Sequence, residues 1–168
     1  MVVAEVKEII SDFILIVYDI PATAKKLRAA FLRDAKAIGA IQHTQSCYLL
    51  PLSDKAFELA NELAVKGSAV VWKSKQPDKE KALEITTKYG DHIHTRCLAI
   101  ETRLAISQDY IASGKLGIAL RMGVKTGKLL KQLAQIQESY SPDWFKTKLE
   151  ELVGKWKEIY GGSVGKQS

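Results

Sequence analysis

One aspartate stands where a buried strand is expected to end, and its position suggests metal chemistry. The chain is apolar almost without interruption from Phe13 to Tyr18, and Asp19 follows two residues before Pro21. Carboxylate oxygens suit Mg²⁺ and Mn²⁺, and a bound ion of this kind could activate water against a phosphodiester. The alternative is that Asp19 caps the next helix, because a negative charge is stabilised near a helix N-terminus. The sequence leaves both interpretations open.

Two clusters of basic residues could contact phosphate groups. The first basic cluster is Lys25, Lys26 and Arg28, which begin a helix whose N-terminus would itself attract anions. In the second, five charged residues are basic and none is acidic. This second basic cluster consists of Lys115, Arg121, Lys125, Lys128 and Lys131. We predict nucleic-acid contacts for both clusters, and the alternative for each is an ordinary solvated helix face.

The segment "DHIHTRC" could in principle seed a zinc site, since imidazole and thiolate both bind that ion. We expect Asp91 to begin a helix here as its N-cap. Residues two apart on a helix point about 200° away from each other, so His94 and Cys97 can share a face that His92 cannot join. The geometry argues against zinc binding.

The first 75 or so residues alternate between strand and helix signals. We predict a strand over Phe13–Ile20, a helix in "ATAKKLRAAFLRDAKAIG", one bent strand or two short ones in "AIQHTQSCYLLPLS", and a last strand in "SAVVWKSK". Ser53 is the expected N-cap of the second helix, "DKAFELANELAVKG". The order βαββαβ predicts an α+β fold of the ferredoxin-like type, with an antiparallel four-stranded sheet and both helices on one face.

The rest of the chain shows only helical spacing. Four helical segments follow Pro77, and Ser141 with Pro142 and Asp143 makes a strong helix start. Gly117, Gly123 and other glycines weaken the prediction of one straight helix through the second basic cluster. We therefore predict two domains, a ferredoxin-like domain at residues 1–76 and a helical domain or extension at 77–168.

Three short motifs of the first domain resemble a known family. The strand "ILIVYDIP", the helix with "KKLR" and the segment "GAIQHTQSCYLLPLS" are similar to the CRISPR-associated Cas2 family. The same pattern, with a "YLLP" strand and a "VVW" strand before helices, is also similar to the C-terminal domain of PaaX-type repressors and the N-terminal region of ChrB-type chromate-resistance regulators. The helical half departs from Cas2 proteins, which are single small domains, and favours the regulator-like relatives.

The resemblance implies a role for the end of the first strand. In Cas2-like proteins the aspartate that matches Asp19 lies near a dimer two-fold axis, where the carboxylates of two subunits can hold a divalent cation. Tyr18 and Ser46 would lie close by, at the dimer contact or beside the site. The resemblance therefore suggests a homodimer, and Mg²⁺ or Mn²⁺ is the one cofactor that it offers.

Composition bounds the class of protein. With 46% hydrophobic and 26% charged residues, the chain has the composition of a soluble globular protein, and the net charge of +6 is consistent with a polyanionic partner. It shows no signal-peptide pattern and no run of the roughly 20 apolar residues that a membrane span needs. Its two cysteines, Cys47 and Cys97, indicate buried thiols in a reducing compartment. We expect a cytoplasmic protein without a membrane partner.

Three functions are consistent with these features. The first is a dimeric, non-catalytic Cas2-like module that binds nucleic acid or regulates. The second is a metal-dependent endonuclease that uses Asp19 as its catalytic metal ligand at the dimer axis. The third is a ChrB-like sensor or interaction protein whose ligand site lies in the helical half, among residues 90–160.

Overall fold

The first half of the chain folds as alternating strands and helices. A computed structural model describes residues 9–67, 69–76 and 78–164. Its elements begin with β1 (Asp12–Tyr18), α1 (Lys25–Ala37), β2 (Ile41–Thr44), β3 (Cys47–Pro51), α2 (Asp54–Gly67) and β4 (Ala69–Lys75). They continue with α3 (Lys79–Ala112), α4 (Leu116–Gln137) and α5 (Asp143–Val164). The predicted α+β class and the helical second half are confirmed.

The four strands form one antiparallel sheet in the order β2-β3-β1-β4. β1 lies between β3 and β4, and Ile16 of β1 is opposite Tyr48 on one side and Val71 on the other. The apolar residues of β1 are buried to different extents on its two faces: Ile14, Ile16 and Tyr18 are buried, whereas on the other face Leu15 is half-buried and Val17 is 41% exposed.

One face of the sheet packs against α1 and α2. Side chains alternate between the two faces of a strand, so Ile14, Ile16 and Tyr18 point to this side. They are buried in one cluster with Phe31 of α1 and Leu63 of α2. Each buried aliphatic or aromatic side chain of this kind contributes about 1.5–3 kcal/mol relative to exposure. This cluster is the core of the α+β part.

The two helix starts in this half were predicted with different success. Ser53 caps α2, because its hydroxyl accepts a hydrogen bond of 3.1 Å from the backbone N–H of Ala56. The capping interpretation of Asp19 is wrong. α1 has Ala24 as its N-cap and no side-chain capping bond, since a turn closed by Ala24 N–H and Pro21 C=O lies between Asp19 and the helix.

α3 is one helix of 34 residues where the sequence predicted two. Asp78 caps its start by accepting a hydrogen bond of 3.0 Å from the N–H of Glu80, and the predicted N-cap Asp91 lies in its interior instead. The break was predicted at Gly90, because glycine often follows the last residue of a helix. A glycine inside a helix costs only about 1 kcal/mol, and this one leaves room for the Tyr140 hydroxyl, which lies 3.2 Å from where a Cβ would be.

α4 is likewise continuous despite its glycines, and Gly123 and Gly127 contact aromatic rings of α5. A Cβ on Gly123 would lie 2.6 Å from the Tyr160 ring, and one on Gly127 would lie 3.2 Å from Trp156. The indole N–H of Trp156 also donates a hydrogen bond of 3.0 Å to the Gly123 carbonyl. Close approach of α5 replaces the packing that side chains at these positions would supply.

The chain divides into two compact units. Among the described residues, the first comprises those from 9 to 92 together with Gln135–Pro142, and the second comprises Ile93–Ala134 and those from 143 to 164. This division differs from the predicted one after residue 76, because the first turns of α3 belong with the sheet. The Thr86 hydroxyl, for example, accepts a hydrogen bond of 3.0 Å from the N–H of Ile10.

None of the helices in the described part of the chain is long and apolar enough to cross a membrane.

Candidate nucleic-acid interface

The end of β1 forms a corner with the β2–β3 turn and with α1. The Tyr18 hydroxyl donates a hydrogen bond of 2.6 Å to the Gln45 carbonyl, and the Tyr18 N–H donates one of 3.0 Å to the Ser46 carbonyl. The guanidinium of Arg28 lies over the Tyr18 ring, 5.9 Å from its centroid, within the range of a cation–π contact. We call these four residues and Asp19 the strand-end corner. The structure thus brings together Tyr18, Ser46 and Arg28, as the sequence analysis expected for the first two.

Asp19 is exposed and is the carboxylate of the strand-end corner. Within residues 9–67, 69–76 and 78–164, no three His, Cys, Asp or Glu side chains are grouped so that they could hold a metal ion. Hard divalent cations take six or more oxygen ligands, often with several waters. Asp19 alone would be a sparse metal site, and a second copy of the chain could supply a further carboxylate.

The first basic cluster lies at the start of α1. Lys25 and Lys26 are exposed, whereas Arg28 is half-buried against Tyr18. Neither lysine has a carboxylate partner among the described residues. Their ammonium groups are therefore available at the N-terminal end of a helix whose own dipole favours anions.

Four residues of the second basic cluster lie along one exposed side of α4, and Lys115 directly precedes this helix. Lys125, Lys128 and Lys131 point into solvent and make no ion pair with any described residue. Arg121 donates from Nε to the Gly117 carbonyl at 3.1 Å, which leaves its terminal nitrogens outward. The ammonium of Lys115 lies 5.9 Å from the Tyr110 ring centroid.

Two lysines of α5 are arranged differently from those of α4. Lys148 donates to Glu101 at 2.6 Å and to Glu151 at 3.1 Å, and Lys155 donates to Glu151 at 2.6 Å. The hydrogen bond to Glu101 is the main cause that raises the pKa of Lys148 above its usual value. Lys148 and Lys155 of α5 are thus paired, whereas Lys146 and Lys157 of the same helix, like Lys125, Lys128 and Lys131 of α4, make no ion pair with a described residue.

Aliphatic residues lie among the cations of α4 and were not among the predicted contact residues. Leu116, Leu120 and Val124 are 57%, 42% and 63% exposed. Their spacing of four residues places them on one side of the helix, and this spacing was visible in the sequence. They give the second basic cluster an apolar component that could contact the sugars and bases of a nucleic acid beside its phosphates.

The possible zinc ligands in the segment "DHIHTRC" are not grouped as a metal site. Asp91, His92, His94 and Cys97 all lie inside α3, where the His94 ring lies 6.3 Å from that of Trp144. Cys97 is 1% exposed, and burial raises the pKa of its thiol to about 11. A thiol with this pKa is protonated at neutral pH, whereas zinc binds the thiolate.

The two thiols are expected to react at very different rates with a disulfide reagent. At pH 8 roughly one Cys97 side chain in a thousand would be ionised, and this side chain is also buried, whereas Cys47 is half-buried. Ellman's reagent should modify one thiol slowly in the native protein and both in urea. In Cys47→Ser the native reaction should disappear. Rapid modification of native Cys47→Ser would contradict the burial of Cys97.

Comparison with protein-family models, with curated proteins and with solved structures gives no match.

Proposed function

We propose that this chain is a dimeric, non-catalytic nucleic-acid-binding or regulatory module with a Cas2-like, ferredoxin-type α+β part. The sheet order β2-β3-β1-β4, antiparallel throughout, supports the ferredoxin-like assignment. The strand-end corner supports the likeness to Cas2 proteins, since the aspartate, tyrosine and serine that carry the resemblance are neighbours in space.

The observation that carries the nucleic-acid proposal is the set of exposed lysines without carboxylate partners. Lys25 and Lys26 in the first unit, and Lys125, Lys128 and Lys131 in the second, are all of this kind among the described residues. Paired lysines on a protein surface are already neutralised, whereas unpaired ones repel each other until an anion binds. Titration with labelled nucleic acid at two salt concentrations tests the proposal, because affinity supplied by phosphate contacts falls steeply as salt rises.

Exposed apolar residues on the other face of the sheet support self-association. Val17 of β1 is opposite Val70 of β4, and the two side chains are 41% and 54% exposed. Trp72 lies two residues further along β4 on the same face, and its side chain is 59% exposed. Large aromatic side chains of this exposure are frequent anchors of protein interfaces. Sedimentation equilibrium of the wild type beside Trp72→Ser measures whether this face holds a dimer together.

The endonuclease is the second candidate, and the exposed carboxylate of Asp19 in the strand-end corner favours it. If two subunits share a Mg²⁺ or Mn²⁺ ion there, the wild type cleaves DNA or RNA only with the metal, and Asp19→Asn removes this activity while keeping the fold. On the non-catalytic proposal we expect intact substrate with either ion in both proteins, since one carboxylate per chain is a poor metal site. Cleavage products that form only with the metal, and that are absent with the Asp19→Asn variant, would show that the protein is a nuclease.

The sensor is the third candidate. A groove in the second unit, lined by Glu101 and Gln108 of α3 and by Lys155 and Glu158 of α5 together with aliphatic residues, supports it. It would bind a small molecule in this groove and bind nucleic acid weakly.

A further inference from the structure

The strand β4 lies at one end of the sheet, and its outer edge is open. In the order β2-β3-β1-β4, its one neighbour among the described strands is β1. The Gln76 N–H donates a hydrogen bond of 2.8 Å to the Ser11 carbonyl, and these two residues continue the register of β1 and β4. Backbone groups of an antiparallel pair alternate between facing the neighbouring strand and facing away from it. The groups that face outward along this edge are therefore the N–H and C=O of Ala69, Val71, Lys73 and Lys75.

The two edges of the sheet differ in how well they are protected against pairing with another chain. β2, at the other edge, has four residues and a register shift between Gln42 and Thr44, and short or bulged strands resist such pairing. β4 has seven residues that pair with β1 in one continuous register. Lysines can also protect an edge, but the Lys73 ammonium lies over the Phe57 ring of α2, 4.3 Å from its centroid. β4 is thus the edge that can accept a further strand.

The charges of β4 select how a second copy of the chain can pair with it. In a parallel pair Lys73 and Lys75 could each lie beside the same residue of the second copy, and like charges directly opposite each other are destabilising. In an antiparallel pair centred on Trp72, Lys73 lies opposite Val71 and Lys75 lies opposite Ala69. All four of these residues have outward-facing backbone groups, so their hydrogen bonds can form. This register joins the whole of β4 and is symmetric about a two-fold axis, as a closed dimer requires.

The same register brings exposed apolar side chains together on the open face of the sheet. Trp72, which is 59% exposed, lies opposite Trp72 of the second copy, and Val70, which is 54% exposed, lies opposite Ser74. Aromatic pairs across neighbouring strands stabilise a sheet. The exposed patch of each copy is therefore continued by that of the other.

The helix-covered face also has room for a second copy. α2 contacts both β1 and β4, and neighbouring strands are about 4.8 Å apart. The α2 helices of two copies would therefore lie about 10 Å apart, close to the usual spacing of packed helices. Phe57 lies on the side of α2 toward β4, and Asn61 and Ala64 share this side because they follow it by four and seven residues. All three are uncharged.

We propose that the β4 edges of two copies pair antiparallel, with Trp72 beside the two-fold axis, and join two four-stranded sheets into one. The inference rests on the homodimer of the proposed function and names the surface and the register that form it. The occupant of the edge is a second copy of this chain, because the sequence of β4 fits its own reverse without placing lysine opposite lysine.

The first test compares two substitutions of one edge residue. Lys73→Ala and Lys73→Pro both remove the ammonium group, but proline also removes the outward N–H, and edge strands tolerate proline where the N–H faces solvent. Sedimentation equilibrium should show dimers for the wild type and Lys73→Ala. The dimer dissociation constant of Lys73→Pro should be at least about tenfold higher, since two hydrogen bonds are lost per dimer. Circular dichroism checks that the fold is retained.

The second test is disulfide formation in a Cys47→Ser background, which does not depend on the proline variant. Val70→Cys and Ser74→Cys chains, mixed and oxidised, should link to each other, because these positions lie opposite with their Cα atoms about 4.5 Å apart. Either variant oxidised alone should stay unlinked, since its cysteines would lie four residues, about 13 Å, apart along the strands.

The outcomes separate the interface from the homodimer itself. A wild type that sediments as a monomer at every concentration would contradict the homodimer, and the edge pairing with it. Lys73→Pro dimers as tight as those of Lys73→Ala, or no disulfide in the mixture, would overturn the edge pairing and leave the homodimer in place. A chain that dimerises only after deletion of residues 1–8 would also overturn the edge pairing, because that segment would then occupy β4.

Discussion

Replacing Lys125, Lys128 and Lys131 together with glutamine is expected to weaken nucleic-acid binding by about a hundredfold near 0.1 M salt. Each phosphate contact by a lysine releases condensed counterions and changes the slope of log K against log salt by about 0.9 for duplex DNA. Loss of three contacts should make that slope shallower by about 2.7. Fluorescence anisotropy of a labelled duplex, measured at several salt concentrations, gives both quantities, and circular dichroism checks that α4 stays helical.

The matched control removes the same net charge from lysines that already have partners. Lys55, Lys88 and Lys155 pair with Glu58, Glu84 and Glu151 respectively. Their triple change to glutamine should alter the slope little, because these ammonium groups are neutralised before nucleic acid arrives. If both triple variants lose affinity equally, net charge alone governs binding and the exposed side of α4 is not the contact surface.

Gly39→Ala is expected to be the most destabilising small substitution in the first unit, by about 2–5 kcal/mol. Gly39 has φ +89°, a conformation that costs a residue with a Cβ about 1–2 kcal/mol. The added Cβ would also lie 2.6 Å from Cγ1 of Ile136 and 3.0 Å from the Tyr89 hydroxyl. Overpacking of this kind costs about 1–3 kcal/mol. Urea denaturation followed by circular dichroism measures the free energy of unfolding.

Gly114→Ala separates the two contributions. Gly114 also has a positive φ, +76°, but a Cβ there would meet nothing within 4 Å. Its substitution should cost only the conformational part, about 1–2 kcal/mol. A Gly39→Ala variant no less stable than Gly114→Ala would show that Ile136 does not close over Gly39.

Local signals in the sequence were enough for the elements of the α+β part. Ser53 bonds to a backbone N–H three residues away, so the cap of α2 can be read from a few neighbouring residues. The turn that divides β2 from β3 also lies where the sequence placed a break, near Thr44–Ser46. Such features depend on contacts over two to five residues, and tertiary packing did not override them.

Contacts between residues far apart in the sequence, and the direction of the chain, determined the helix boundaries that local patterns predicted wrongly. Gly90 carries the signal of a helix end, but Tyr140, fifty positions later, lies against it and α3 continues. Asp19 precedes a proline as a cap would, yet the turn after Pro21 moves the helix start to Lys25. Each outcome depends on packing or on chain direction that no local pattern specifies.

The candidate sites also differ in whether local sequence patterns predicted them. The basic clusters were visible as runs of one charge, and their exposure follows from the helical period of α1 and α4. A groove lined by Phe13, Leu15 and Leu49 of the sheet and by Ile85 of α3 was not visible, because β1, β3 and α3 each contribute only one or two apolar residues to it. Only the sheet topology brings these residues together.

The account is tested most directly by titrating the wild-type protein with labelled duplex DNA, single-stranded DNA and RNA in EDTA, at 50 and 200 mM salt. With about five phosphate contacts, duplex affinity should fall roughly 500-fold between these concentrations, and single-strand affinity roughly 100-fold. The nucleic acid recovered afterwards should be intact. Absence of binding at 50 mM, or binding that salt leaves unchanged, would contradict a function carried by the unpaired lysines.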